Sequence, residues 1–345
     1  MHISRKKPAY PITPALRQYL RDYDRDASLP VSYADLRRYS NSFALRDRTG
    51  RDTLWQTVYY EPQAMQELSK GLAEVYALLK TGGDLSFTEY LVADRIDFCH
   101  FGNSQPFRVR ILNQLNDNYD FFYVKQADAS RLYGLELEHL LSPNSMNFLT
   151  SGDTLIEEHI AGIPGDDFIR LRLSQPYLNQ VRIAKEFVKF NERCFARLLG
   201  DMRAYNYVVD VTPDFEDEQY RVRAIDFDQQ SYEGNRRMYQ PRYFTDNAAV
   251  VDLCARLLKP ENVRQYQTEE RTLMARRART ERYRLRALLD VMRQHALAPA
   301  GKVAELRSTL GRYHQSAAFA ACDSMGDVVR LHLWLMLGPG ARPPS

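Results

Sequence analysis

Three runs between Tyr90 and Ala127, YLVADRIDFCHF, PFRVRIL and DFFYVKQA, are rich in β-branched and aromatic residues. Turn residues separate them, Gly102-Asn103 and Asn116-Asp117-Asn118. Short strands joined by short turns pair antiparallel. Such a sheet must cover its apolar face with a helix or a second sheet, and this limits the fold more than any other feature. A helix is predicted over Ala129–Leu141, before Pro143, and FLTSGDTLIEEHI adds one or two strands. From about Asp167 the chain turns mainly helical, interrupted by β-rich YNYVVDV and YRVRAIDF.

Upstream, residues 1–30 read as a polar, proline-punctuated arm with a short helix around Ala15–Asp24. SFALRDRTGRDTLWQTVYY reads as a hairpin around Thr49-Gly50. A helix opens on Pro62 and carries Met65, Leu68, Leu72, Val75 and Leu79 at three- and four-residue steps, until Gly82-Gly83 ends it. The expected class is α+β with two lobes. Residues 1–85 form an N-terminal extension, 86–162 a five-stranded antiparallel lobe with one key helix, and 163–345 a mainly helical lobe.

Composition narrows the class of protein. A chain of 345 residues that is 44% apolar supplies one large core or two medium ones. A charged fraction of 26% and 22 tyrosines exclude a disordered or fibrous chain. Lys+Arg 47 against Asp+Glu 44 leaves +3, too little for a binder that uses its whole surface on nucleic acid or membrane. Cys99, Cys194, Cys254 and Cys322 lie far apart without a C-x-x-C pair, which predicts four free thiols in a reducing compartment. The basic start MHISRKKPAYPITP lacks the apolar run of a secretory signal, and VVRLHLWLML is short and contains Arg330 and His332. A cytoplasmic protein without a membrane span is expected. The chain has no H-E-x-x-H pattern, no G-x-S-x-G elbow and no G-x-x-x-x-G-K-[ST] loop.

Four features carry chemistry, in order. Lys125 ends the third strand, Glu136 lies in the next helix, GDMRAYN sets Asp201 five residues before Asn206, and AIDFDQQ places Asp226 and Asp228 after a strand. Singly, each has an ordinary reading: a solvated lysine, a solvated helix glutamate, or turn residues that bond their own backbone. Asp226 is sharper, because an aspartate at an apolar strand end is costly unless it is paired or holds a metal. In this order the chain resembles the protein-kinase-like superfamily, over roughly residues 90–240, and more closely its small-molecule branch, the aminoglycoside and choline phosphotransferases. LIEEHIAGIPGDDF resembles that branch's hinge.

The resemblance implies a two-lobed kinase-like fold that uses ATP and Mg²⁺ to phosphorylate a hydroxyl, on a small molecule or a protein Ser, Thr or Tyr. It implies that Lys125 holds the α- and β-phosphates and that Glu136 pairs with it, with Glu138 as the alternate. Gly102 would lie in the phosphate-covering turn HFGNSQPF, and backbone groups near Glu158–Ile160 would bond adenine. Asp201 would accept or orient the proton of the acceptor hydroxyl. Asn206 and Asp226 would ligate the metal, with Asp228 as a further metal contact. Triphosphate with Mg²⁺ calls for this set: a cation on the phosphates, hard oxygen ligands, and one carboxylate at the incoming hydroxyl. Three positions depart from the pattern: one glycine in the covering turn, Leu199 in place of a histidine, and a long gap from Asn206 to Asp226. The first two favour the alternative, a catalytically inactive kinase-like scaffold, and a longer hairpin over Asp210–Tyr220 would absorb the third. The arginine-rich stretch Glu270–His295 reads either as a solvated helix leaning its apolar stripe (Leu273, Leu285, Leu288, Leu289, Met292) on the second lobe, or as a basic surface for an anionic partner or substrate.

Overall fold

The computed structural model describes residues 7–47, 50–82, 84–86, 88–101, 104–215 and 218–338. They divide into a sheet unit, 7–128 with 146–159, and a helical unit, 129–145 with 160–338.

The sheet unit begins with α1 (Pro14–Asp22), which Thr13 caps by accepting the Leu16 N–H. α2 (Tyr33–Leu36) is a single turn closed by a reciprocal Ser32–Asp35 capping box. β1 (Asn41–Arg46) and β2 (Asp52–Tyr59) form the expected hairpin, of which Thr49 lies outside the described residues. α3 (Pro62–Thr81) starts on its proline and stops at Gly82, whose φ of +66° is the left-handed turn that favours glycine. β3 (Leu91–Cys99), β4 (Phe107–Asn113), β5 (Tyr119–Gln126), β6 (Phe148–Ser151) and β7 (Thr154–Glu158) complete the unit. Among the described residues these strands make one antiparallel sheet in the order β1-β2-β3-β4-β5-β7-β6.

Two expectations change here. The sheet has seven strands, not five, and the hairpin and helix of the presumed extension belong to it. The reason is burial: Leu72, Val75 and Leu79 of α3 share one core with Val109, Ile111, Phe122 and Val124 of the sheet. Strand alternation then sets the opposite face. Phe122 and Val124 point into that core, so Phe121, Tyr123 and Lys125 line the other side.

In the helical unit, α4 (Ala129–Leu141) has the predicted bounds. The division at residue 162 is corrected, however: α4 groups with the helical unit rather than with the sheet, because its charged residues find partners there. β8 (Ile163–Pro164), β9 (Tyr207–Pro213) and β10 (Glu218–Ala224) form a second antiparallel sheet in the order β10-β9-β8. The helices are α5 (Gly165–Leu171), α6 (Gln180–Arg197), α7 (Ala248–Leu257), α8 (Pro260–Thr280), α9 (Arg282–Arg293), α10 (Ala300–His314) and α11 (Met325–Leu337). Phe190, Phe195, Met274, Leu288, Met292, Leu306, Val328 and Leu333 are buried among them. The arginine-rich stretch is two helices broken at Glu281, and Leu273 of its expected apolar stripe is exposed while Leu285, Leu288, Leu289 and Met292 are buried. All four cysteines are free, and no described helix is long and apolar enough to cross a membrane.

Candidate functional site

β9 and β10 pair with Tyr207 opposite Ala224. One step beyond, the Ile225 N–H donates to the Asn206 carbonyl at 3.0 Å. The hairpin therefore sets the residues before β9 beside the residues after β10, and its length absorbs the long gap between Asn206 and Asp226. Further contacts tie the two segments, since the Gly200 N–H donates to the Gln229 carbonyl at 3.2 Å and Leu199 bridges Gln230.

Asp201 has a φ of +55°, in the left-handed region. For a residue with a side chain this costs about 1 kcal/mol or more, and it persists only where the surroundings over-determine it. They do so here. Asn206 Nδ2 donates to the Asp201 carbonyl at 2.7 Å and the Arg203 N–H donates to the same oxygen at 2.8 Å, while the Asp201 N–H donates to Met238. The bond from Nδ2 also orients the Asn206 amide, whose Oδ1 is the hard acceptor end. The buried Asp201 carboxylate accepts from Arg203 Nε at 3.1 Å, and Arg203 reaches on to Asp246 at 3.1 Å. Burial, then the Asp201 charge, raise the Tyr205 phenol above its ordinary pKa.

Asp226 and Asp228 converge on a residue that sequence reasoning missed. Arg131 of α4 donates through Nη1 to Asp226 Oδ1 at 2.9 Å and to Asp228 Oδ1 at 2.8 Å, and through Nη2 to the Ile225 carbonyl. Gly134, one turn further along the same face, makes this approach possible. A Cβ there would lie 3.0 Å from Phe227 Cβ and 3.2 Å from Gln230 Cβ. Asp228 has a side chain 8% exposed and is chiefly Arg131's charge partner, whereas Asp226, at 31%, still opens to solvent.

Glu136 is expected to pair with Lys125. Within the helical unit both its carboxylate oxygens accept from Arg284 of α9, at 3.0 and 2.7 Å. Glu138, the alternate, pairs with Arg197 of α6. In the sheet unit Lys125 Nζ lies 2.7 Å from Glu157 Oε2 on the neighbouring strand and 5.3 Å from the Tyr123 ring centre. Sequence reasoning passed over Glu157 too. A signal for all these partners exists in ASRLYGLELEHLL and LIEEHI: charges inside otherwise apolar elements must each meet an opposite charge.

Glu158 accepts from the Asn147 N–H at 2.9 Å through Oε1 and lies 3.9 Å from Lys80 Nζ, so its side chain is engaged within the sheet unit. Ile160 is buried, and the chain passes from one unit to the other between His159 and Ile160. Gly102 lies outside the described residues. Among the described residues no group of three or more His, Cys, Asp or Glu side chains gathers as a metal site. Asp226, Asn206 and Asp228 are nonetheless a donor set suited to Mg²⁺, which takes one or two carboxylates and fills its octahedron with phosphate oxygens and water. Comparison with known protein families and with curated proteins yields no match.

Proposed function

We propose that the chain is an ATP- and Mg²⁺-dependent phosphotransferase of the kinase-like kind, which moves the γ-phosphoryl group to a hydroxyl acceptor. One observation carries the reading. The Asn206 amide is clamped to the Asp201 backbone, while the hairpin brings Asp226 beside that same loop. A general base, an amide oxygen and a solvent-open carboxylate thus share one rigid corner of the helical unit.

Asp201 is the base. Its carboxylate accepts or orients the proton of the incoming hydroxyl, and Arg203 holds it in place. Asp226 and Asn206 would hold Mg²⁺, with Asp228 behind them keeping Arg131 in register. When bound, Mg²⁺ neutralises phosphate charge that builds up during transfer. Because the transition state for phosphoryl transfer is loose, a rigid placement of these groups supplies most of the acceleration.

The test separates chemistry from binding. Asp201→Asn keeps the shape and removes the proton acceptor, so the rate of transfer falls by about 10²–10⁴-fold while stabilisation by ATP with Mg²⁺ stays at the wild-type value. Mass spectrometry of the chain with ATP, Mg²⁺ and a cell extract reads the transfer, and a melting curve reads the binding. Full transfer in Asp201→Asn would remove this residue from the mechanism.

A second reading, a catalytically inactive kinase-like binding protein, is favoured by Arg131. Its guanidinium already pairs with Asp226, the carboxylate that a metal would need, as well as with Asp228. Under that reading millimolar ATP with Mg²⁺ leaves the melting temperature unchanged.

A further inference from the structure

Between α6, α7 and the start of α8 the helical unit has a pocket of about 540 Å³, open on one side to solvent and within the range that holds a small organic molecule. Phe187, Val251, Leu258 and Val263 give it an apolar wall. The polar groups on its lining, Asn191, Arg242 and Arg264 among them, offer hydrogen-bond donors. Asn191 is only 7% exposed. Its Oδ1 accepts the Arg242 N–H at 3.2 Å, which fixes the orientation of the amide and leaves Nδ2 without a partner among the described residues. On the lining of the pocket this N–H group is open to an acceptor.

Both arginines point to the same kind of ligand. The Arg242 guanidinium touches the Tyr243 hydroxyl at 3.4 Å and stacks 5.0 Å from that ring, and no carboxylate pairs with it among the described residues. Arg264 has only Glu261, at 3.6 Å, with both side chains exposed. Such a pair is worth little in water. Cys254 also lines the pocket, but burial pushes its thiol up to about 12, so it stays protonated and takes no covalent part at neutral pH.

We propose that this pocket binds a small amphipathic anion, an aliphatic body of medium length ending in one carboxylate. The body lies along the apolar wall, and the carboxylate accepts from Asn191 Nδ2 and the two guanidinium groups. The site is independent of phosphoryl transfer.

Calorimetric titration of the full chain with decanoate, and with decan-1-ol as the uncharged probe, tests it. Decanoate is expected to bind one per chain. Replacing both arginines (Arg242→Gln with Arg264→Gln) weakens decanoate by about tenfold, because charge-assisted bonds are lost, and leaves decan-1-ol unchanged. Val251→Trp fills the pocket and abolishes binding of both probes. Should that variant not fold, Ala255→Phe blocks the same space from α7. Three results overturn the proposal: no saturable decanoate binding below its aggregation concentration, undiminished binding in a folded pocket-filling variant, or equal weakening of both probes in the arginine variant.

Discussion

Removing an arginine from between two aspartates leaves like charges facing each other, one of them buried. That is the position of Arg131, with a side chain 2% exposed and both Asp226 and Asp228 within 3 Å of its Nη1. Arg131→Met is therefore expected to lower the unfolding free energy by about 3–5 kcal/mol, the range for breaking a buried pair by deleting one partner. Urea unfolding in EDTA measures it. If Asp226 is a metal ligand, as proposed, millimolar Mg²⁺ then restores more stability to the variant than to wild type. Equal response of the two proteins to Mg²⁺ would count against metal binding at this pair. The same electrostatics governs Lys125 and Glu157, whose side chains are nearly as buried.

Elements approach one another only as closely as their smallest side chains permit, and α5 meets the Asp201–Asn206 loop at a glycine. A Cβ on Gly165 would stand 2.4 Å from the Ala204 carbonyl oxygen and 2.2 Å from Tyr207 Cε2. Both distances are far inside contact, and the first is to backbone that cannot swing aside. Gly165→Ala should cost about 1–3 kcal/mol as overpacking. Under the proposed function it should also displace the loop, so that transfer falls further than ATP affinity does. A kcat loss no larger than the KM change would mean that α5 does not position the loop. α8 and α9 show the other use of an element. Arg271 pairs with Glu192, Arg277 Nη2 donates to the His139 carbonyl, and Arg284 clamps Glu136. One row of arginines is thus structural, while Arg276, Arg279, Arg282 and Arg286 are exposed, the last 3.7 Å from Asp290.

At the scale of the whole molecule, acid should unfold the chain through two histidines of the helical unit. His332 is wholly buried; its Nε2–H donates to the Phe195 carbonyl at 2.9 Å, so its Nδ1 accepts from His314 Nε2–H, also at 2.9 Å. Burial is the main cause that lowers both, His314 to about 4 and His332 to about 3. Folded imidazoles thus stay neutral at a pH where the unfolded chain, with a histidine pKa near 6.5, takes up protons. Stability is full above about pH 6.5 and falls as the pH drops toward the folded values. His332 alone removes up to about 1.4 kcal/mol per pH unit there, and the partly solvated His314 adds less. Urea unfolding at pH 7, 6 and 5 should show this slope, and His332→Gln should flatten it. Parallel curves for the two proteins would exclude the pair as the cause.

What the sequence determined by itself is local. Pro62, Gly82 and the Leu72–Val75–Leu79 spacing fixed α3, because capping and amphipathic periodicity act within a few residues. Alternation fixed β4 and β5 and put Lys125 on the face opposite Val124. The Asp-x-x-x-x-Asn loop and the aspartates after β10 were legible as a constellation, since the hairpin between them closes by local pairing. Partner choice was not. Nothing within the helix ASRLYGLELEHLL says that Arg131 belongs to Asp226 and Asp228, or that Glu136 belongs to Arg284, 148 positions away. Burial demands that each charge be met, and which opposite charge meets it depends on how the helices pack. For the same reason the hairpin and helix read as an extension joined the sheet, and α4 joined the helical unit. An apolar face specifies that it must be covered, and only the tertiary structure decides by what.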